Sequence, residues 1–212
     1  MKLFLDTADV KSVKARLSTG LISGITTNPT LIFKSGRHPQ TVYQELIDLG
    51  IDDISMEVVG DSEEELFKNA MGHVKTYDSK ATIKLPCTID GLKACKRLSA
   101  INVRTNVTLI FSPAQAILAS LAGATYISPF IGRMDDNSLD GMKLINDIKH
   151  TLTTDTKILA ASIRDPQSVG TAFALGADIC TVPTDVFDRM YNHVLTDKGL
   201  EQFERDNAAT SD

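Results

Sequence analysis

One lysine stands where a lysine is costly. Ala81-Thr82-Ile83-Lys84-Leu85-Pro86 is short, apolar on both sides of Lys84, and stopped by a proline. A run of this kind reads as a strand of a parallel sheet covered on both faces. A charged amine inside such a strand must be relieved or used. Burial disfavours the ammonium form, and an unprotonated amine attacks carbonyl carbon. The chemistry this points to is a Schiff base on Lys84. The competing reading ends the strand at Lys84 and sends its head to solvent. The residues that the rest of the chain brings to the same place must decide.

Those residues are set by a repeated pattern. Apolar strand-like runs fall at 3–5, 24–27, 54–59, 81–86, 103–110, 126–130, 157–162 and 179–183. Between them, apolar residues recur at helical spacing, as in Val10, Val13 and Leu17, or Met142, Ile145, Ile148 and Leu152. Ser62 with Glu65 is a capping box that opens a long helix reaching Tyr77. Pro113 and Pro166 stand at first helical turns, where proline is tolerated. The last helical segment starts near Asp185, with a break expected near Lys198-Gly199 and a C-terminal helical extension at about 195–207. Strand then helix, eight times, predicts one domain over residues 1–212 that closes into a (β/α)8 TIM barrel. An open doubly wound sheet is the alternative, but it usually takes fewer strands, and no glycine-rich dinucleotide turn is present.

A barrel places chemistry at the C-terminal ends of its strands. Polar residues collect there: Asp6, then Thr26, Thr27 and Asn28, then Glu57, Lys84, Asn106 and Thr108. Ser128 and Phe130 follow, then Arg133, Ser162 and Arg164. Asn106 with Thr108, and Ser128 with Phe130, are two apart, so each pair shares a strand face. Singly, each residue has a plainer use. Asp6 fits a helix cap, Asn28 a turn, the hydroxyls backbone partners, the arginines solvated charges and Phe130 core packing. Separate plain uses do not account for their joint placement around Lys84.

Composition narrows the rest. A formal charge of −5 gives no basic footprint for nucleic acid. No apolar run approaches the ~18 residues of a membrane span, and the N-terminus carries no secretory pattern. Cys87, Cys95 and Cys180 form no CxxC pair and suggest a reducing compartment. A cytoplasmic protein is expected. The four histidines, His38, His73, His150 and His193, have no metal-ligand spacing, so no metal is expected.

Two motifs carry a family resemblance. Gly24-Ile25-Thr26-Thr27-Asn28-Pro29-Thr30-Leu31-Ile32 and Ile83-Lys84-Leu85-Pro86-Cys87-Thr88-Ile89-Asp90-Gly91 resemble the two signatures of the transaldolase family, in its small single-barrel branch. Thr30 stands where serine is common. Supporting stretches are Leu5-Asp6-Thr7, Asn106-Val107-Thr108-Leu109-Ile110-Phe111-Ser112, Ile127-Ser128-Pro129-Phe130-Ile131-Gly132-Arg133 and Ala161-Ser162-Ile163-Arg164. The resemblance runs along essentially the whole chain. It implies a class I aldolase type barrel with Lys84 as the Schiff-base lysine and Asp6, Glu57 and Thr108 as its catalytic partners. It implies that Thr27, Asn28, Asn106, Ser128 and Phe130 contact substrate, and that Arg133, Ser162 and Arg164 hold phosphate. Ketose and aldose phosphates are the implied partners, in carbohydrate metabolism through the pentose phosphate pathway, with no cofactor. Homo-oligomers, as rings of ten with the C-terminal helix crossing to a neighbour, are implied as well.

The branch holds two activities. Transaldolases pass a dihydroxyacetone unit to a second sugar phosphate, whereas fructose-6-phosphate aldolases release it free. The aldolases tend to have glutamine at position 57 and tyrosine at 130, and to lack an asparagine at 106. Glu57, Phe130 and Asn106 favour the transaldolase option. A barrel that binds sugar phosphates without turning them over is the reading from another class.

Overall fold

Each strand delivers the chain to a loop that caps the next helix, and the loops gather at one end. A computed structural model describes residues 1–210. β1 (Lys2–Asp6) is followed by α1 (Val10–Leu17), β2 (Ile22–Thr26), α2 (Pro29–Ser35) and α3 (Pro39–Asp48). Next come β3 (Ile54–Glu57), α4 (Glu63–Tyr77), β4 (Ala81–Pro86), α5 (Ile89–Ala100), β5 (Thr105–Ile110) and α6 (Pro113–Leu121). The chain goes on through β6 (Tyr126–Pro129), α7 (Ile131–Asp135), α8 (Gly141–Thr151), β7 (Lys157–Ala160) and α9 (Pro166–Ala174). It ends with β8 (Ile179–Val182), α10 (Thr184–Arg189) and α11 (Val194–Ala209). Neighbouring strands pair in parallel and β8 pairs with β1, so the sheet is a closed eight-stranded barrel. This is the (β/α)8 TIM barrel that the alternation predicts.

Side-chain alternation builds two cores from the same strands. The outer core lies between strands and helices and includes Leu5, Ile25, Met56, Ile83, Leu85 and Val107. The inner one, Phe4, Tyr126, Leu159, Ala161 and Ile179, fills the barrel. Ile83 and Leu85 are fully buried on either side of Lys84. Each contributes about 1.5–3 kcal/mol by leaving water, and together they hold Lys84 facing inward. Below the inner core, Asp53 accepts from the hydroxyls of Thr82 and Tyr126, both at 2.7 Å, and from Arg104 at 3.1 Å. This network closes the N-terminal end of the barrel.

The caps lie on the opposite rim. Asn28 caps α2, Thr88 α5, Ser112 α6 and Asp165 α9, each accepting from a backbone N–H in the first turn. Ser62 caps α4 through Glu65 N at 3.3 Å, and the Glu65 carboxylate accepts from Asp61 N at 3.0 Å. The reciprocal bond of this capping box thus falls one residue before the cap.

Three sequence expectations are corrected. Residues 29–35, unassigned by periodicity, form α2, because Asn28 and Pro29 nucleate a turn that has no buried residue to signal it. The expected break at Lys198-Gly199 is absent; the chain breaks at 190–193, and His193 caps α11 through Nδ1 to Leu195 N at 3.2 Å. One interior glycine costs about 1 kcal/mol against alanine, too little to interrupt a helix of 16 residues. Strands β2, β3, β6, β7 and β8 end one or two residues before the predicted limits. Phe130 keeps only an isolated bridge to Ala161, since Pro129 cannot donate to the ladder.

Candidate active site

Lys84 lies in register with Glu57 on one side and Asn106 on the other. Register partners in parallel strands face the same way, so all three point into the barrel. The Lys84 amine is 3.0 Å from Glu57 Oε2 and donates to the Thr27 carbonyl at 3.0 Å. Lys84 is only 4% exposed. Its head does not reach solvent, which removes the competing reading of this strand. Burying an ammonium unpaired costs several kcal/mol, and Glu57 with the Thr27 carbonyl offsets that here. The Phe130 ring centroid is 6.0 Å from the amine and 5.0 Å from the Arg133 guanidinium carbon, between two cations.

Asp6 ends β1 beside Thr26, its register partner on β2. Thr26 Oγ1 donates to Asp6 Oδ1 at 2.8 Å and lies 2.6 Å from Thr181 Oγ1 on β8. Burial lifts the Asp6 carboxyl above its ordinary range, while the Lys84 charge and the Thr26 hydrogen bond pull it down. On the other wall, Asn106 Nδ2 donates to Ser55 Oγ at 3.1 Å, and Asn106 Oδ1 accepts from Ser128 Oγ at 2.7 Å. That chain fixes the amide across β3, β5 and β6.

A local irregularity places Thr108. Val107 pairs with Ile127 but Ile110 pairs with Pro129, so β5 carries one extra residue, and Leu109 takes φ +59°. The bulge returns Ile110 to the outer core beside Val107 and leaves Thr108 on the face of Asn106. Thr108 Oγ1 is buried and has no hydrogen-bond partner among the described residues.

A cavity of about 120 Å³, near the space of four waters, opens over the amine. It is lined by Asp6, Thr26, Asn28, Lys84, Ser128, Phe130, Arg133, Ala161, Ser162 and Thr181. Asn28 accepts from Leu31 N through Oδ1 at 2.9 Å, capping α2, and also lines the cavity. Glu57, its carboxylate turned to Lys84, also lines a wider groove of about 770 Å³ among α2, α3 and α4, with Tyr43, Asn69 and His73. Thr27 contributes its backbone carbonyl, and its hydroxyl donates to Ser55 O at 2.9 Å. Arg164 does not line the cavity. It is half-exposed and forms a two-pronged pair with Asp136, one arm at 2.5 Å.

Arg133 is placed by backbone contact. Gly132 N donates to Ser162 O at 3.1 Å, and a Cβ on Gly132 would stand 2.1 Å from that oxygen. Only glycine lets α7 approach the segment after β7 this closely. Ser162 takes φ +61°, a left-handed conformation in a non-glycine residue.

Sequence reasoning missed three neighbours: Thr181, Ser55 and, as a site residue, Thr26. Thr181 was legible as the polar member of the Ile179/Thr181 alternation on β8. Ser55 alternates with Glu57 in the same way. Their partners were not legible, because the contacts cross strands far apart in sequence.

Fold and site define the class: a (β/α)8 barrel with a buried lysine–carboxylate pair at the C-terminal ends of its strands. The Transaldolase/Fructose-6-phosphate aldolase family profile matches residues 3–212, and the chain belongs to that family of enzymes. A probable transaldolase of Caulobacter vibrioides is 48% identical over 213 residues, covering 99% of this chain and 98% of the relative. One from Lactiplantibacillus plantarum is 46% identical over 209 residues, with 97% and 96% covered. One from Aquifex aeolicus is 45% identical over 210 residues, with the same coverage. A solved thiamine phosphate pyrophosphorylase from Pyrococcus furiosus shares the fold at TM-score 0.57 and 17% identity, over 85% of each chain. That likeness concerns the barrel alone. No helix among the described residues is long and apolar enough to cross a membrane.

Proposed function

We propose that the protein is a transaldolase, transferring a dihydroxyacetone unit between sugar phosphates through a Schiff base on Lys84. An example is sedoheptulose 7-phosphate with glyceraldehyde 3-phosphate giving erythrose 4-phosphate and fructose 6-phosphate. The observation that carries this reading is the buried Lys84 amine, 3.0 Å from Glu57, in a cavity also lined by Asp6. Binding alone needs no such amine. Glu57 takes a proton from the Lys84 ammonium, and the freed amine adds to the ketone carbon of the donor. Glu57 and Thr108, through a water, carry the protons as the carbinolamine loses water to become an iminium. Asp6 takes the proton of the C4 hydroxyl. The C3–C4 bond breaks, its electron pair moves to the iminium as an enamine, and an aldose phosphate leaves. A second aldose phosphate takes up the enamine carbon. Asp6 returns the proton, and hydrolysis frees Lys84.

Asn28, Asn106 and Ser128 hold the dihydroxyacetone hydroxyls, and Thr27 steadies the amine. Arg133 and Ser162 hold the phosphate, which guanidinium and hydroxyl groups suit. Arg164 joins them only on leaving Asp136. Neither metal nor cofactor enters any step.

Residues 1–212 make one barrel unit with a helical extension, and the setting is cytoplasmic. None of the α11 side chains is buried, and Leu195, Leu200 and Phe203 are exposed along it. This supports a homo-oligomer in which α11 packs on a neighbouring copy, in a ring of ten by family resemblance. A monomeric mass by light scattering at micromolar protein overturns the oligomer.

One assay tests the activity. Glyceraldehyde 3-phosphate release from fructose 6-phosphate is slow alone and fast, over many turnovers, with erythrose 4-phosphate added. Equal rates would make the protein an aldolase. Borohydride then leaves a three-carbon adduct on Lys84; an unmodified lysine under saturating substrate sinks the Schiff base.

A further inference from the structure

Thr181 has no part in the steps above, yet it lines the cavity and is bonded into the site. It reaches Asp6 only through Thr26, and β1, which carries Asp6, runs between β8 and β2. Both threonines are 2% exposed, so bulk solvent has little access to their hydroxyls. The distances are 2.6 Å from Thr181 Oγ1 to Thr26 Oγ1, and 2.8 Å from Thr26 Oγ1 to Asp6 Oδ1.

Hydrogen counting gives this chain a direction. An ionised carboxylate only accepts, and a hydroxyl has one hydrogen. With Asp6 ionised, Thr26 spends its hydrogen on Asp6, so Thr181 must donate to Thr26. Thr181 then offers only lone pairs to the cavity. Once Asp6 holds a proton, the chain can reverse: Asp6 donates to Thr26, Thr26 to Thr181, and Thr181 points its hydrogen into the cavity. Both states of Asp6 are satisfied with no heavy atom displaced.

We propose that Thr181 is a positioning residue for the reaction, acting through Thr26 to hold Asp6 ready to accept a proton. The proposal rests on Asp6 being the proton acceptor. Its physical content is polarisation: a hydroxyl that receives a hydrogen bond donates a stronger one. Thr181 therefore strengthens the Thr26 bond that favours the Asp6 carboxylate. Three charged groups face Asp6 besides. Lys84 on β4 favours the carboxylate, Glu57 on β3 opposes it, and Arg133 on α7 shares the cavity. None of them is bonded to Thr181, so a change at Thr181 isolates the hydroxyl chain.

The experiment compares wild type, Thr181→Val, Thr181→Ser and Asp6→Asn. Valine keeps the shape and removes the hydroxyl; serine restores it. NMR titration of carboxyl-labelled aspartates reads the Asp6 carboxyl directly, its signal identified by its loss in Asp6→Asn. We expect the Asp6 titration in Thr181→Val to move up by about half a pH unit. The acid limb of kcat/KM moves with it, and Thr181→Ser returns both to wild type. Borohydride trapping on Lys84 continues in Thr181→Val, which shows that the site is still assembled. An unmoved titration in Thr181→Val, with Asp6→Asn inactive, overturns the hydroxyl chain and leaves Asp6 as the acceptor. Asp6→Asn with near wild-type turnover overturns the role of Asp6, and the proposal with it.

Discussion

Glu57 and Lys84 are register partners on adjacent strands, and their charged groups meet at 3.0 Å inside the barrel. The carboxylate is therefore fixed by the same ladder that fixes the amine. The ladder sets the two Cα positions, and the ion pair with the Thr27 carbonyl sets the two heads.

Lys84→Met keeps a straight stem in a buried slot. It should fold, because Ile83 and Leu85 still hold β4, and it should lose turnover by several orders of magnitude. Circular dichroism checks the fold, and a coupled assay with borohydride trapping checks the chemistry. Activity within about tenfold of wild type would contradict the covalent mechanism.

Phe130 sits 6.0 Å from the amine without a hydroxyl to give. A tyrosine there could deliver a proton to the enamine or order the water that hydrolyses it. Phe130→Tyr should raise the rate of fructose 6-phosphate cleavage in the absence of an acceptor. An unchanged acceptor-free rate, with transfer still intact, would remove Phe130 as the element that protects the intermediate.

Asp6 links the site to stability. Burial lifts its carboxyl above the unfolded value, so the folded chain keeps this proton to a higher pH. Ionising Asp6 then costs stability. The cost is absent below the unfolded pKa and complete above the folded one, so this contribution falls as pH rises between them. Asp6→Asn cannot ionise. It should be stabilised relative to wild type at about pH 7 and lose that gain near about pH 3. Urea unfolding at both pH values measures it, and a gain that grows toward acid contradicts the sign.

Gly132→Ala brings a methyl to within 2.1 Å of Ser162 O, a backbone atom that cannot swing aside. The expected cost is about 1–3 kcal/mol. α7 must shift and carry Arg133 with it, so KM for phosphorylated donors rises more than KM for free fructose. Arg133→Ala should show the same split without the loss of stability. Equal losses on both donor types would remove the phosphate role.

The barrel was legible because its signal is local. Apolar runs of strand length alternate with helical periodicity eight times, and the loops carry caps such as Ser112-Pro113 and Asp165-Pro166 that a sequence displays openly. The motif around Lys84 was legible for the same reason: a lysine inside a continuous apolar strand is anomalous wherever the strand lies. The extra helix α2 and the true break at 190–193 were not, since neither buries a residue that periodicity would reveal.

What the tertiary structure decided is which polar groups meet. Sequence places Asp6, Thr26 and Thr181 at three strand ends; only closure of β8 onto β1 puts their oxygens within hydrogen-bond distance. Arg133 and Arg164 look alike along the chain, yet the close approach at Gly132 seats one in the cavity while Asp136 draws the other away. The bulge at Leu109, which sets the facing of Thr108, leaves no mark in composition or period. Hydrophobic pattern and capping act over a few neighbouring residues, so the sequence by itself determined the elements and their order. Hydrogen bonds among buried polar groups depend on ångström distances between strands remote in sequence, and those exist only once the barrel has closed.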